Sequence, residues 1–270
     1  MPELPEIFNI ARQMNKELFS KKIILVDVRQ EKCLNMPAND FKSLLNNKII
    51  GPITSRGKWV FAKLEPDAYF LLSLGMGGNV LYHKSAEKLP DKYHLKLEFH
   101  DDSILTIGFW WFGYCHAVSA YALETHKMTS NLGLSPIDEK EFNYDSFDTV
   151  LQGRRGNIKS FLMNQKYIAG IGNVYIQDIL FKAKLHPNRK IPDIGGNERR
   201  RLFEAIRTNL KEAVELGGLA YEKDLYNRPG RVEDFLVGYR ETSPCPECGT
   251  KIRKIRTGST ATYICPSCQK

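Results

Sequence analysis

The chain has 270 residues, of which 42% are hydrophobic and 26% charged, a balance that excludes a disordered or fibrous protein and leaves room for two domains. Lys and Arg outnumber Asp and Glu by 39 to 31, a formal net charge of +8, which favours a polyanionic partner without naming one. The start is acidic and amphipathic rather than basic and then apolar, and the longest charge-free stretch, Ser103–Leu123, is broken by Gly108, Gly113 and His116, so a soluble cytoplasmic protein, nucleoid-associated in a bacterium, is expected.

The chain opens MPELPE and then turns amphipathic: Ile7, Ile10, Ala11, Met14 and Leu18 lie on one helical face. Pro2 and Pro5 suit a first helical turn, and Glu3 and Glu6 suit the positive end of the macrodipole. Alternatively, loss of Met1 would leave the ring nitrogen of Pro2 as a free nucleophile. The six residues alone leave both readings open. Short β-type runs follow: KIILVDVR, KWVFAKL, YFLLSL, NVLYH, HLKLEF and SILTIGFWWF. Turn residues punctuate most of their junctions, among them Gly51-Pro52 and Asp101-Asp102. One helix and at least six strands predict a β-sandwich or barrel carrying an amino-terminal helix over 1–130. The stretch NLGLSPIDEK at 131–140 reads as a linker.

Beyond the linker the periodicity is helical. Ile158, Phe161 and Leu162 begin one stripe, and Tyr175, Ile176, Ile179, Leu180 and Ala183 form another. A third, Leu202, Phe203, Ile206, Leu210, Ala213 and Val214, stops at Gly217-Gly218. Within 151–190 there are eight lysines and arginines against one acid, Asp178, the footprint of a phosphate-binding face. Gly170 and Gly172 precede a helix expected from about Asn173, where free amides favour an anion. A helical DNA-binding domain over 141–242 is therefore expected, within an α+β protein of two domains.

Six cysteines are present. Cys33 and Cys115 are far apart in sequence and read as reduced and buried. Cys245, Cys248, Cys265 and Cys268 form two C-x2-C pairs separated by 16 residues, the spacing of a four-cysteine zinc ribbon over 243–270. Four thiolates close the tetrahedron and leave no position for a catalytic water, so one structural Zn2+ is expected. KIRKIR and ATYI read as the two strands of its hairpin.

PELPE, SRGKW, LGMGG, the run IKSFLMNQ…GIGNVY…LFKAKLHP and the terminal zinc finger, in that order, resemble the formamidopyrimidine-DNA glycosylase / endonuclease VIII family of bifunctional repair enzymes. The resemblance implies a β-sandwich, a helix–two-turn–helix domain and a zinc-finger hairpin. It also implies a monomer acting on damaged double-stranded DNA. In this family the methionine is removed and the proline amine, here Pro2, attacks C1′ of the damaged nucleotide. An α-amine has a pKa near 8 against about 10.4 for lysine, and a secondary amine yields an iminium, an electron sink that permits β-elimination. Glu3 is implied as the proton shuttle, Glu6 as a further site carboxylate and Lys58 as a clamp on the adjacent phosphate. Met76 and Phe112 match residues inserted where the base is flipped out. Arg155, Lys159 and Asn173 match backbone contacts.

Two departures stand out. In Gly108-Phe109-Trp110-Trp111-Phe112-Gly113, Trp110 stands where the family commonly carries an arginine; it can stack but cannot read a base edge, which implies loose opposite-base preference. Thr260 stands where the zinc hairpin usually carries an arginine linked to δ-elimination, with Arg256 or Lys254 as candidate replacements. These departures leave open a second reading, a family member that binds damaged DNA and excises weakly or not at all.

Overall fold

The computed structural model describes residues 1–270, the side chain of Glu87 excepted. The chain forms two compact units. The first holds residues 1–131 together with 217–231, and the second holds 132–216 and 232–270.

The first unit is a two-sheet sandwich. Helix α1 (Leu4–Leu18) is followed by β1 (Ile23–Val28), α2 (Ala38–Leu45), β2 (Ile49–Arg56), β3 (Trp59–Glu65), β4 (Ala68–Ser73), β5 (Asn79–His83), β6 (Leu95–Phe99), β7 (Ile104–Gly108), β8 (Tyr114–Ser119) and the short α3 (Ala120–Leu123). All pairings are antiparallel, in the orders β1-β6-β7-β5 and β2-β3-β4-β8. One core joins the sheets: Val26, Leu97 and Ile107 from the first meet Val60, Phe70 and Ala117 from the second, with Ile7, Ile10 and Met14 of α1. Cys33 and Cys115 are both buried there. The α1 stripe is the one its periodicity predicts.

Strand β2 crosses Gly51-Pro52, which reads as a strand boundary in the sequence. The register instead shifts between Ile50 and Ile53. Pro52 has no N–H to place in a ladder, and the displaced Ile53 amide donates to Asn15 Oδ1 of α1 at 2.8 Å. A bulge, not a turn, accommodates the proline. The expected run SILTIGFWWF ends as a strand at Gly108, and its aromatic half is a loop.

The second unit contains α4 (Tyr144–Leu151), α5 (Ile158–Leu162), α6 (Tyr175–Lys182), α7 (Gly196–Glu215) and the hairpin β9 (Arg253–Thr257) and β10 (Thr260–Ile264). Asn143 and Asn157 cap α4 and α5 through the amides of Ser146 and Ser160. Part of the segment read as a linker is structured in this unit: Leu134 bridges to Ile168, and the Gly133 amide donates to the Gln165 carbonyl. Asp178, the lone acid of the basic stretch, is buried and accepts the amides of Leu236, Val237 and Gly238 at 2.8 to 3.1 Å. Its charge therefore fixes the chain leading into the zinc hairpin. No helix among the described residues is long and apolar enough to cross a membrane.

Candidate functional site

In the first unit the head of α1 is buried. Pro2 and Glu3 are both in the interior, whereas Met1 is exposed. Glu6 lies one turn on and is 3% exposed. Its Oε2 accepts the Glu3 amide at 2.7 Å and its Oε1 accepts the Leu219 amide at 3.0 Å. Glu6 thus joins the start of the chain to a turn more than two hundred residues later. The approach is tight: at Gly218, whose φ is +89°, a Cβ would lie 2.5 Å from Glu6 Oε1. Glu222 of the same segment has its carboxylate 3.4 Å from the amino-terminal nitrogen. Burial pushes that carboxyl up; the amino terminus pulls it back and Glu3 pushes it further.

Lys58 follows Gly57 (φ +59°) in the two-residue turn joining β2 and β3, with Arg56 paired to Trp59. Only a residue tolerant of positive φ can begin such a turn, so Gly57 fixes the position from which Lys58 projects.

Met76 and the FWWF stretch, about thirty residues apart, form one structure. The Met76 amide donates to the Trp111 carbonyl at 2.8 Å, and the Trp110 amide donates to the Met76 carbonyl at 3.1 Å. The Trp110 ring covers Gly77, where a Cβ would sit 2.6 Å from it. The resulting tip leaves Met76 41%, Trp110 82%, Trp111 63% and Phe112 64% exposed. Four large apolar side chains projecting together do not belong to a folding core. Behind them Phe109 is buried and stacks on His94 with centroids 4.6 Å apart, which anchors the loop.

In the second unit Lys159 is only 1% exposed. Its Nζ donates to Asn173 Oδ1 at 2.8 Å, Thr260 Oγ1 at 2.8 Å, Thr262 Oγ1 at 2.7 Å and the Ala261 carbonyl at 3.3 Å. These acceptors are neutral, and burial lowers the pKa of the ammonium to about 8. Asn173 precedes α6, and its half-buried side chain accepts through Oδ1 from Lys159 and from Gln177 Nε2. Gln165 braces the turn before it, accepting the Gly170 amide and donating to the Ile171 carbonyl. Arg155 is exposed, and Arg256 is exposed with its Nε on the Gly258 carbonyl.

The four cysteine Sγ atoms lie within 4.8 Å of one another, with separations of 3.4, 3.5 and 3.9 Å among them. A Zn–S length of about 2.3 Å requires tetrahedral edges near 3.8 Å, so the cysteines fit one zinc ion in a closed site. Hydrogen bonds from Thr250 pull the Cys248 thiol down to about 6, toward the thiolate a metal needs. Phe181, Val237, Ile252 and Tyr263 pack around the knuckles.

Comparison with known proteins covers nearly the whole chain. Residues 1–108 match the formamidopyrimidine-DNA glycosylase N-terminal domain, residues 132–224 the H2TH domain of the same glycosylase, and residues 243–270 the zinc finger found in FPG and IleRS. The formamidopyrimidine-DNA glycosylase of Pelotomaculum thermopropionicum is 32% identical over 100% of this chain and 99% of its own length. That of Cytobacillus firmus is also 32% identical, over 100% of both chains. The chain belongs to the formamidopyrimidine-DNA glycosylase family. Crystals of Lactococcus lactis Fpg with DNA containing N7-benzyl-Fapy-dG superpose with a TM-score of 0.91 at 26% identity, covering 100% of each chain. The same protein with abasic-site DNA gives 0.89 at 26% identity, covering 99% of each.

Within this family frame the structure brings together Pro2, Glu3 and Glu6, and separately Met76, Trp110 and Phe112. It also joins Lys159 to Asn173. Two residues escape the sequence reading, and a third has a different part in the structure. Trp111 is hidden within an aromatic run that resembles a strand. Glu222 carries no local pattern, since its importance comes from a partner at the other end of the chain. Thr260 reads as a lost cation, yet its hydroxyl receives the Lys159 ammonium, a connection between residues 101 apart.

Proposed function

We propose that this chain excises oxidised bases from duplex DNA by base-excision repair, as a glycosylase with AP-lyase activity whose nucleophile is Pro2. The observation that carries the reading is the Glu6 clamp. One buried carboxylate fixes the Glu3 amide, and with it the residue beside the nucleophile, against the 217–231 turn. A helix start that served only as punctuation would have no reason to hold that turn.

Once Met1 is removed, the Pro2 amine attacks C1′ and the base departs with a proton. Opening of the sugar ring leaves an iminium, and Glu3 serves as the proton shuttle. Loss of the 2′ proton then expels the 3′ phosphate by β-elimination. Lys58 clamps the phosphate beside the lesion, while Asn173, Arg155 and Arg256 hold the backbone, with Lys159 supplying charge from beneath Asn173 and Thr260. Met76, Trp110 and Phe112 enter the space the flipped nucleotide leaves. Zinc supplies no chemistry here; bound by the four cysteines, it holds the hairpin that carries Thr260 and Arg256. The acting unit is one chain.

Borohydride trapping on an oligonucleotide with an abasic site or an oxidised base tests the reading. A covalent adduct should form with the wild-type protein and fall below detection in Pro2→Gly. Tight binding without an adduct would establish the non-excising reading instead. A panel of oxidised purines and pyrimidines in duplex DNA would then identify the lesion.

A further inference from the structure

Glu222 is acidic, 12% exposed at its side chain, and aimed at the amino terminus. Its segment is built to keep it there. The Glu222 amide donates to the Leu219 carbonyl at 3.0 Å, and its own carbonyl accepts the Gly230 amide at 3.3 Å. The neck of the loop is closed so tightly that a Cβ on Gly230 would lie 2.1 Å from the Gly218 carbonyl oxygen. Leu219 is tied to Glu6, and Glu6 to the Glu3 amide. Farther along, the Tyr82 amide donates to the Leu225 carbonyl, and Gln13 bonds both Asp224 and the Leu225 amide. A short series of hydrogen bonds therefore connects the residue after the nucleophile to the carboxylate facing it.

We propose that Glu222 is the counter-ion of the amino-terminal nitrogen, holding first its ammonium and then the iminium it becomes. The proposal rests on Pro2 being the nucleophile. Met1 carries the amine that Glu222 meets in this structure, and after its removal the Pro2 nitrogen lies within about 4 Å of that point by covalent geometry alone. The charged groups that act on Glu222 are the amine, 3.4 Å away, and Glu3, while Glu6 is bonded to the Leu219 amide. On its own segment Lys223 is exposed, and Asp224 is occupied by Gln13 and by the amides of Tyr226 and Arg228. A buried carboxylate beside a second acid stays ionised when a cation accompanies it.

The chemistry makes use of such a partner. On an abasic site the secondary amine adds to the C1′ aldehyde and forms the N–C1′ bond. Its N–H proton and one further proton convert the aldehyde oxygen to water, which leaves. The nitrogen, neutral when it attacks, ends positively charged. A fixed carboxylate stabilises that product and the transition state leading to it, while also favouring the unreactive ammonium at low pH. Glu222 itself gains and loses no bond.

These two effects oppose each other, which separates an electrostatic role from a merely structural one. The experiment follows cyanoborohydride-trapped adduct formation on abasic duplex DNA from pH 5 to 9 under single turnover. It uses protein whose loss of Met1 is verified by mass. In Glu222→Gln the acid limb should move down by about one pH unit, while the plateau rate falls about tenfold, so the two profiles approach each other toward low pH. Glu222→Asp should return the limb toward its original position. A Pro2-dependent adduct whose acid limb is unmoved in Glu222→Gln, whether or not the rate drops uniformly, overturns the assignment of Glu222 alone. Absence of any Pro2-dependent adduct in the wild type overturns the nucleophile assignment, and the counter-ion with it.

Discussion

Two residues show how much depends on single atoms. Gly218 has φ +89° and would set a Cβ 2.5 Å from a Glu6 oxygen that already accepts the Leu219 amide. Gly218→Ala must therefore either move the Glu6 clamp or strain the turn, at a cost of about 2 kcal/mol. The expected outcome is a lower denaturation midpoint for the first unit together with slower adduct formation. Lys159 presents a different balance. Its ammonium has neutral partners and its pKa falls to about 8, whereas in the unfolded chain it keeps its proton to about 10.4. Between those values the unfolded state binds more protons, so this residue's penalty shrinks as the pH rises from 8 toward 10. Lys159→Met removes this pH dependence and also leaves four acceptors without their donor, so its stability should fall further below that of wild type as the pH rises from 8 toward 10, read from urea midpoints. It should also weaken DNA binding at pH 7. A parallel pH dependence for both proteins would show that the lysine is not the buried cation described here.

Elements defined by local patterns were legible in the sequence. The apolar stripe of α1 and the glycine stop after α7 need only near neighbours, and the structure has both. Strand β2 was obscured by a proline that the sheet accommodates through a bulge braced by Asn15. The aromatic half of SILTIGFWWF looks like strand because exposed tip residues and buried strand residues share a chemistry. That tip carries the prediction at this scale. Trp110 offers a face for stacking and no acceptor or paired donors for a base edge, so excision should vary only a few-fold with the opposite base. Trp110→Arg, which restores a bidentate donor, should widen the preference by about tenfold or more, in keeping with about 1–3 kcal/mol for such a pair. Excision rates measured opposite each of the four bases decide it. Trp111, joined to Met76 through the backbone, should retain its place on the tip in that variant.

For the whole molecule, the course of the chain matters more than any motif. It leaves the first unit at 131, returns for residues 217–231 and leaves again. The zinc finger could be read from spacing because its four ligands recur within 24 residues of chain. The return segment could not be, since its defining bonds, Glu6 to Leu219 and Gln13 to Leu225, join residues 213 and 212 positions apart. Charge follows a similar logic. The surplus expected from the basic stretch at 151–190 is partly used within the fold: Lys159 is buried, and Lys182 and Arg189 pair with Glu212 and Glu198. Fewer cations therefore reach DNA than a count of lysines and arginines implies. With Lys58, Arg155 and Arg256 as the contacting cations, and about 0.9 counterion released per phosphate, the logarithm of affinity should fall with log salt at a slope of roughly −3. Thr260→Arg would add a fourth contacting cation beside the end of Lys159, so its slope should steepen by about one, with δ-elimination product rising over the β product. A slope in the parent near −8 would mean that the surplus charge, rather than this small set, holds the backbone. An unchanged slope in Thr260→Arg would mean that the zinc hairpin does not meet a phosphate at that position.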